Sequence, residues 1–277
     1  IASCLVGSEM CIRDSNKRAT INDVNFINRA TKGVYELGSV FKTFTVAAGL
    51  EEGLIKKDTE FLNLEKKLKC GKNIISEYDK KISSNLTVEQ ILIRSGNIGS
   101  VRIGQKLEIE KLKSFLEKIG VLSKIDFDIE EVGEPISFKW GKCKLATVSF
   151  GHGITTTPLQ LAKGYAIIAN GGFEIKPSLI KKTLKNNHNK KRLIKKGVSE
   201  QINEILRKIV TTKEGTAGFA NIKGYEVGGK TGTAEKAIIG GYTRKAKVNT
   251  FASIFPTTNP KYVMIVLLDE PKTSEDY

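Results

Sequence analysis

Apolar residues recur at close to helical spacing over 38–53, at Val40, Phe41, Phe44, Ala47 and Ala48, with Leu54 next in phase. The pattern predicts a helix there, stopped by Gly53. Residues 58–85 show no sustained period and read as irregular structure with short strands. A helix start is plain over 86–91: Thr87 can cap, Gln90 can complete a capping box, and Leu86 can staple against Ile91. That helix ends near 95–97, and two more are predicted over 98–107 and 110–119. Thr157 and Pro158 open another, with threonine as cap and proline in the first helical position, running to Asn170 before Gly171 and Gly172. A strand is expected over 175–184 and an amphipathic helix over 198–211. Two strand-like runs close the pattern, 250–255 and 262–268, joined by turn residues at 256–260. A largely helical middle therefore precedes an antiparallel sheet.

Composition adds little to this picture. The 277 residues suffice for a substantial core, and 40% hydrophobic with 27% charged residues is ordinary globular usage. The net charge of +15 comes mostly from lysine spread along the chain, which reads as a solvated surface; no nucleic-acid partner is expected. The densest basic run, 181–196, contains no aromatic residue for base stacking and reads as a solvated hairpin with its loop at 186–189. Cysteines at 4, 11, 70 and 143 form no CxxC, so neither a zinc site nor a disulfide framework is expected. No apolar run approaches the ~20 residues of a membrane span. Residues 1–15 show no continuity with the remainder of the chain and read as appended or artefactual sequence; 16–277 read as one domain.

One stretch poses a chemical choice. GYEVGGKT (224–231) matches the phosphate-loop pattern G-x-x-x-x-G-K-[ST]. A phosphate loop joins a strand to a helix, whose N-terminal N–H groups face the phosphates. Here glycines at 232, 240 and 241 come next, and no helix is expected. The other reading takes Lys230, Thr231 and Gly232 as the last of three ordered motifs: S-x-x-K at 39–42, S-x-N at 95–97 and K-T-G at 230–232. Ser39 and Lys42, three apart at a helix start, share a face. The helix N-terminus favours an oxygen becoming anionic. A lysine acts as general base only if its pKa falls from ~10.4 toward 7–8. Burial beside Phe41 and Phe44 and a second ammonium at Lys230 both push that way. Ser95 can relay a proton, Asn97 can hold a substrate amide, and a strand carrying Thr231 and Thr233 can pair with an extended peptide. A Ser-His-Asp set fails on inventory: no G-x-S-x-G occurs, and His152, in a glycine-rich turn, reads as structural or pocket-lining.

With these residues in view, the chain resembles the transpeptidase domain of class B penicillin-binding proteins, the septal kind most of all. The resemblance spans about 25–271 and includes NRA (28–30), SGNIGS (95–100), SFGHGI (149–154), TPLQ (157–160), ANGG (169–172), KTGTAE (230–235) and LDEP (268–271). It implies an α/β (α+β) fold, an antiparallel sheet flanked by helices plus an all-helical subdomain. It implies a serine D,D-transpeptidase that attacks the D-Ala-D-Ala end of a peptidoglycan stem peptide, passes the acyl group to a neighbouring amine, and is acylated by β-lactams. Ser39 would be nucleophile, Lys42 its base, and Ser95 and Lys230 catalytic partners. Asn97, Thr231, Gly232 and Thr233 would bind substrate, with the N–H groups of Ser39 and Thr233 as oxyanion hole. No metal or cofactor is implied. A membrane anchor, a glycan polymerase partner in cell division and the periplasmic face of the inner membrane are implied by resemblance alone. Leu37 and Thr43 stand where the family commonly has proline, and Gly96 where it often has Ser or Asp. By the same resemblance the chain stops before the last strand and helix, leaving an exposed sheet edge. A β-lactamase or D,D-carboxypeptidase is the nearest rival. The E-x-x-L-N signature of class A lactamases does not occur between Ser95 and Lys230, which favours a long-lived acyl-enzyme. A non-catalytic β-lactam sensor and a nucleotide-binding protein are the remaining alternatives.

Overall fold

The computed structural model describes residues 27–71, 73–181, 191–238 and 241–272. Gly38–Phe41 forms one 3-10 turn that leads into a central helix, α1 (Lys42–Glu51). Residues 42–50 of α1 are all buried. A helix enclosed on every side needs no amphipathic stripe, so its polar positions must find partners inside. Thr43 Oγ1 pairs with the Tyr165 hydroxyl at 2.9 Å, and Thr45 Oγ1 donates to the Ser149 carbonyl at 2.9 Å. Phe41, Phe44 and Tyr165 pack edge to face around it, with centroids 5.4 Å apart in each successive pair.

Four short strands come next: β1 (Glu60–Phe61), β2 (Lys67–Cys70), β3 (Asn73–Ser76) and β4 (Leu86–Thr87). β1 pairs with β4 and β2 with β3, both antiparallel. Helix α2 (Val88–Ile93) begins at the expected capping box. The Thr87 side chain accepts from Gln90 N at 3.2 Å, and Gln90 Oε1 accepts from Thr87 N at 2.9 Å. Helix α3 (Asn97–Lys118) breaks at Glu108, whose φ is +62°, between the two helices read from the pattern. Then come α4 (Lys142–Val148), α5 (Pro158–Ala169) and α6 (Lys196–Thr211). α5 has a second capping box, Thr157 with Gln160.

The chain closes in β5 (Gly228–Ile238), β6 (Gly241–Phe255) and β7 (Tyr262–Asp269), one antiparallel sheet in the order β5-β6-β7. α6 packs on β5, α5 on β6 and β7, and α1 against both α3 and α6. The 3-10 turn before α1 lies against β5. The mixed fold of helices and antiparallel sheet is thus as expected, with α1 at its centre.

Two expectations need correction. No strand forms over 175–181; the rest of that expected strand, 182–184, and the loop at 186–189 lie outside the described residues. Pro177 has no N–H to offer a ladder. The Asp128 carboxylate takes the donors around it: Ser178 Oγ at 2.6 Å and the N–H groups of Leu179 and Ile180 at 2.5 and 3.4 Å. The cysteines are the second case. Cys70, at the end of β2, is disulfide-bonded to Cys143 in the first turn of α4, with Cα atoms 5.4 Å apart. The partners lie 73 residues apart, a distance that only the folded chain closes.

A Cys70→Ser, Cys143→Ser double variant is expected to lose about 2–4 kcal/mol of stability, because the cross-link restricts the unfolded chain. Urea denaturation of both proteins measures this; coincident unfolding curves would show that the link stabilises nothing.

Candidate active site

Lysine side chains are rarely enclosed, because removing an ammonium from water is costly. Lys42 and Lys230 are both 0% exposed. Lys42 leaves the first turn of α1; Lys230 leaves β5 on the side covered by helices. Their ammonium groups converge on one hydroxyl. Ser95 Oγ lies 3.1 Å from Lys42 Nζ and 2.8 Å from Lys230 Nζ. Lys42 Nζ also donates to the Ser95 carbonyl at 2.5 Å and to Asn97 Oδ1 at 2.7 Å, so its three donors have three acceptors. Lys230 Nζ makes its other bond to the Thr231 carbonyl, 2.9 Å.

Burial drives the Lys42 pKa down to about 7, although the negative charge of Glu77 works in the opposite direction. Burial, and then the charge of Lys42, hold Lys230 well below the usual lysine range. Two enclosed like charges on one oxygen cannot both be retained cheaply. Once one amine is neutral, the Ser95 hydroxyl is free to donate its own hydrogen to it. The three groups then form a path along which a proton can move.

Ser39 lies one 3-10 turn before Lys42, with its carbonyl accepting from Lys42 N. Residues three apart in a 3-10 turn eclipse each other, so the Ser39 and Lys42 side chains share a face. Ser39 is partly exposed, and its hydroxyl makes no hydrogen bond to a described residue. The backbone around it is tightly framed. Gly38 has φ +64°, and a Cβ there would run into the Thr233 carbonyl. Gly151, with φ +89°, would strike the Gly38 carbonyl. Residues 37–40 are thus pressed onto β5 at Gly232 and Thr233. Thr233 is exposed on that strand, and Thr231 Oγ1 donates to Thr216 Oγ1 at 2.9 Å.

All eight residues singled out from the sequence therefore lie on three adjoining segments: Ser39 in the 3-10 turn with Lys42 at the start of α1, Ser95 just before α3 with Asn97 as its first residue, and 230–233 on β5. β5 runs through Lys230 and Thr231 without turning into a helix, so the context of a phosphate loop is absent. Gly96 is buried with an ordinary extended φ of −64°, and a Cβ there would press on Ile82. His152 is a wall rather than a base: it stacks on Phe150, tilts against Tyr242 at 4.5 Å, and sets Nδ1 3.5 Å from Glu36. Glu36 also accepts from the Tyr242 hydroxyl at 2.7 Å and Gly153 N at 2.9 Å.

The sequence reading missed the residues that brace Asn97. Glu77 accepts from Asn97 N at 2.7 Å and Ile98 N at 2.8 Å, and the Ser76 carbonyl accepts from Asn97 Nδ2 at 2.8 Å. No local motif marks them; the pairing exists only because β3 ends beside α3.

Comparison with known proteins adds four findings. The family model described as "Penicillin binding protein transpeptidase domain" matches residues 9–277. A probable peptidoglycan D,D-transpeptidase FtsI of Caulobacter vibrioides is 33% identical over 94% of this chain, which spans only 45% of that relative's length. Among solved structures, the transpeptidase domain of Burkholderia pseudomallei penicillin-binding protein 3 superposes with a TM-score of 0.82 at 27% identity, covering 88% of this chain and 74% of that one. Penicillin-binding protein 3 of Mycobacterium tuberculosis, complexed with aztreonam, superposes with a TM-score of 0.79 at 25% identity, covering 88% and 58%.

The depressed pKa of Lys42 is directly measurable. With lysine labelled at 13Cε, the resonance that disappears in Lys42→Met is expected to titrate with a midpoint near 7. A midpoint above 10 would mean that the ammonium is not enclosed as described.

Proposed function

The chain belongs to the family of penicillin-binding protein transpeptidase domains, and from that premise we propose that it is the acyl-transfer domain of a peptidoglycan D,D-transpeptidase with Ser39 as nucleophile. The observation that carries the reading is the meeting of two buried lysines at Ser95 Oγ, on the face shared with Ser39. Neutral Lys42 takes the Ser39 proton as Oγ attacks the carbonyl of the penultimate D-Ala. The tetrahedral oxyanion lies between the N–H groups of Ser39 and Thr233, which the close packing of residues 37–40 on β5 brings together. One such donor is typically worth about 10²–10³ in rate. The C–N bond then breaks. Ser95 passes a proton to the departing amine, drawing on Lys42 and Lys230, and leaves an ester on Ser39. The amine of a second stem peptide attacks that ester, its proton goes back along the same path, and Ser39 is restored.

Asn97 holds the substrate amide, while Thr231, Gly232 and Thr233 pair with the extended donor peptide and receive its terminal carboxylate beside Lys230. A β-lactam, whose ring amide takes the place of the scissile bond, acylates the same serine. The reading includes a role in septal wall synthesis, which the name FtsI carried by the Caulobacter relative supports, and a glycan polymerase as partner. Action outside the cytoplasm, at the membrane's periplasmic face, is supported by the Cys70–Cys143 disulfide, since such bonds persist in oxidising compartments. Among the described residues no helix is long and apolar enough to cross a membrane.

Fluorescent penicillin is expected to label the protein covalently, Ser39→Ala is expected to remain unlabelled, and the adduct is expected to outlast many minutes. The acylation rate should rise with pH through a midpoint near 7, because Lys42 accepts a proton only after losing its own. Labelling of the alanine variant would end the assignment of Ser39. Rapid release with steady drug hydrolysis would favour a β-lactamase instead.

A further inference from the structure

Helix α3 has no cap of its own. Its N-cap residue is Gly96, which has no side chain to accept from the first turn. The acceptor comes from elsewhere: both carboxylate oxygens of Glu77, just past the end of β3, bind the N–H groups of Asn97 and Ile98. A carboxylate at this end of a helix also meets the positive pole of its dipole. The neighbouring Ser76 carbonyl takes Asn97 Nδ2, and Asp79 pairs with Arg94 at 2.6 Å. Residues 76–79 thus grip 94–98 at three points.

What they grip is strained. Ser95 has φ +57°, a region that residues with a Cβ seldom adopt. Such a conformation is unfavourable and persists only where the surroundings over-determine it. It matters here because it presents both Ser95 oxygens to Lys42 and the hydroxyl to Lys230. Asn97, gripped by its backbone and its Nδ2, has Oδ1 left for Lys42.

We propose that Glu77 is a positioning residue for acyl transfer: its carboxylate holds the 94–98 turn in the strained form that brings Ser95 and Asn97 to Lys42. This rests on the transpeptidase reading of the site. Glu77 touches no reacting atom; it acts through Asn97 and the turn. Its charge has a second effect. Burial lowers the Lys42 pKa and the charge of Glu77 raises it, while Lys42 in turn lowers that of Lys230 on β5. Arg94, next along the turn, is held by Asp79 and Glu214. Removing the Glu77 charge therefore moves the Lys42 titration downwards.

The test is the rate of acylation by fluorescent penicillin against pH, for the full chain and for Glu77→Gln and Glu77→Ala, with thermal melting to check folding. Glu77→Ala is expected to acylate about 10–100-fold more slowly at pH 8, the scale of loss that misplacement of a reacting group produces. Glu77→Gln keeps one oxygen for a helix N–H. It is expected to recover part of that rate and to shift the acid limb of the profile to lower pH. A folded Glu77→Ala protein acylating at the parent rate would overturn the inference while leaving Ser39 chemistry intact. Should the alanine variant not fold, an unshifted acid limb in Glu77→Gln overturns it equally. If the parent chain itself fails to label, the transpeptidase reading falls first and the inference with it.

Discussion

The enclosure of two lysine ammonium groups around a single serine oxygen is the constraint on which the rest of the structure depends. Water is excluded from Lys42 and Lys230, so each charge must be answered by fixed oxygens or given up. Ser95 and Asn97 supply those oxygens to Lys42, and the strand carbonyl of Thr231 supplies one to Lys230. The balance leaves Lys42 poised near neutrality. Because the two amines share one hydroxyl, the loss of a proton from one alters the hold on the other.

Such an arrangement needs a rigid support, and the core supplies it. α1 is surrounded by protein along its length, with Phe41, Phe44 and Tyr165 interlocked and the Tyr165 hydroxyl bonded to the Val40 carbonyl at 2.9 Å. Thr43 contributes a hydroxyl to the same tyrosine. On the other side, β5 is held by α6 and by β6. The lysines therefore project from two elements that have little freedom to part.

What was legible in the sequence is what local chemistry determines. The Thr87 capping box and the Thr157 cap are local, and the three motifs carry their own spacing. The break at Glu108 falls between the two helices read over 98–107 and 110–119. What was not legible depends on partners far along the chain. Ser178 and Leu179 lose their strand to an aspartate 50 and 51 residues away. Cys70 finds Cys143 across 73 residues, and Glu77 reaches Asn97 across 20 with no motif to announce it. The motifs marked the residues proposed to react; the groups that hold them were visible only in three dimensions.

The crowding at Gly38 and Gly151 bears on how such a protein evolves. Each lacks space for even a methyl group, and the obstacle in both cases is backbone rather than a yielding side chain. Under the acyl-transfer reading, a lineage exposed to β-lactams cannot evade them by enlarging either residue, since the change would displace the nucleophile as well as the drug. Selection is left with positions that alter access to Ser39 without disturbing the turn that carries it.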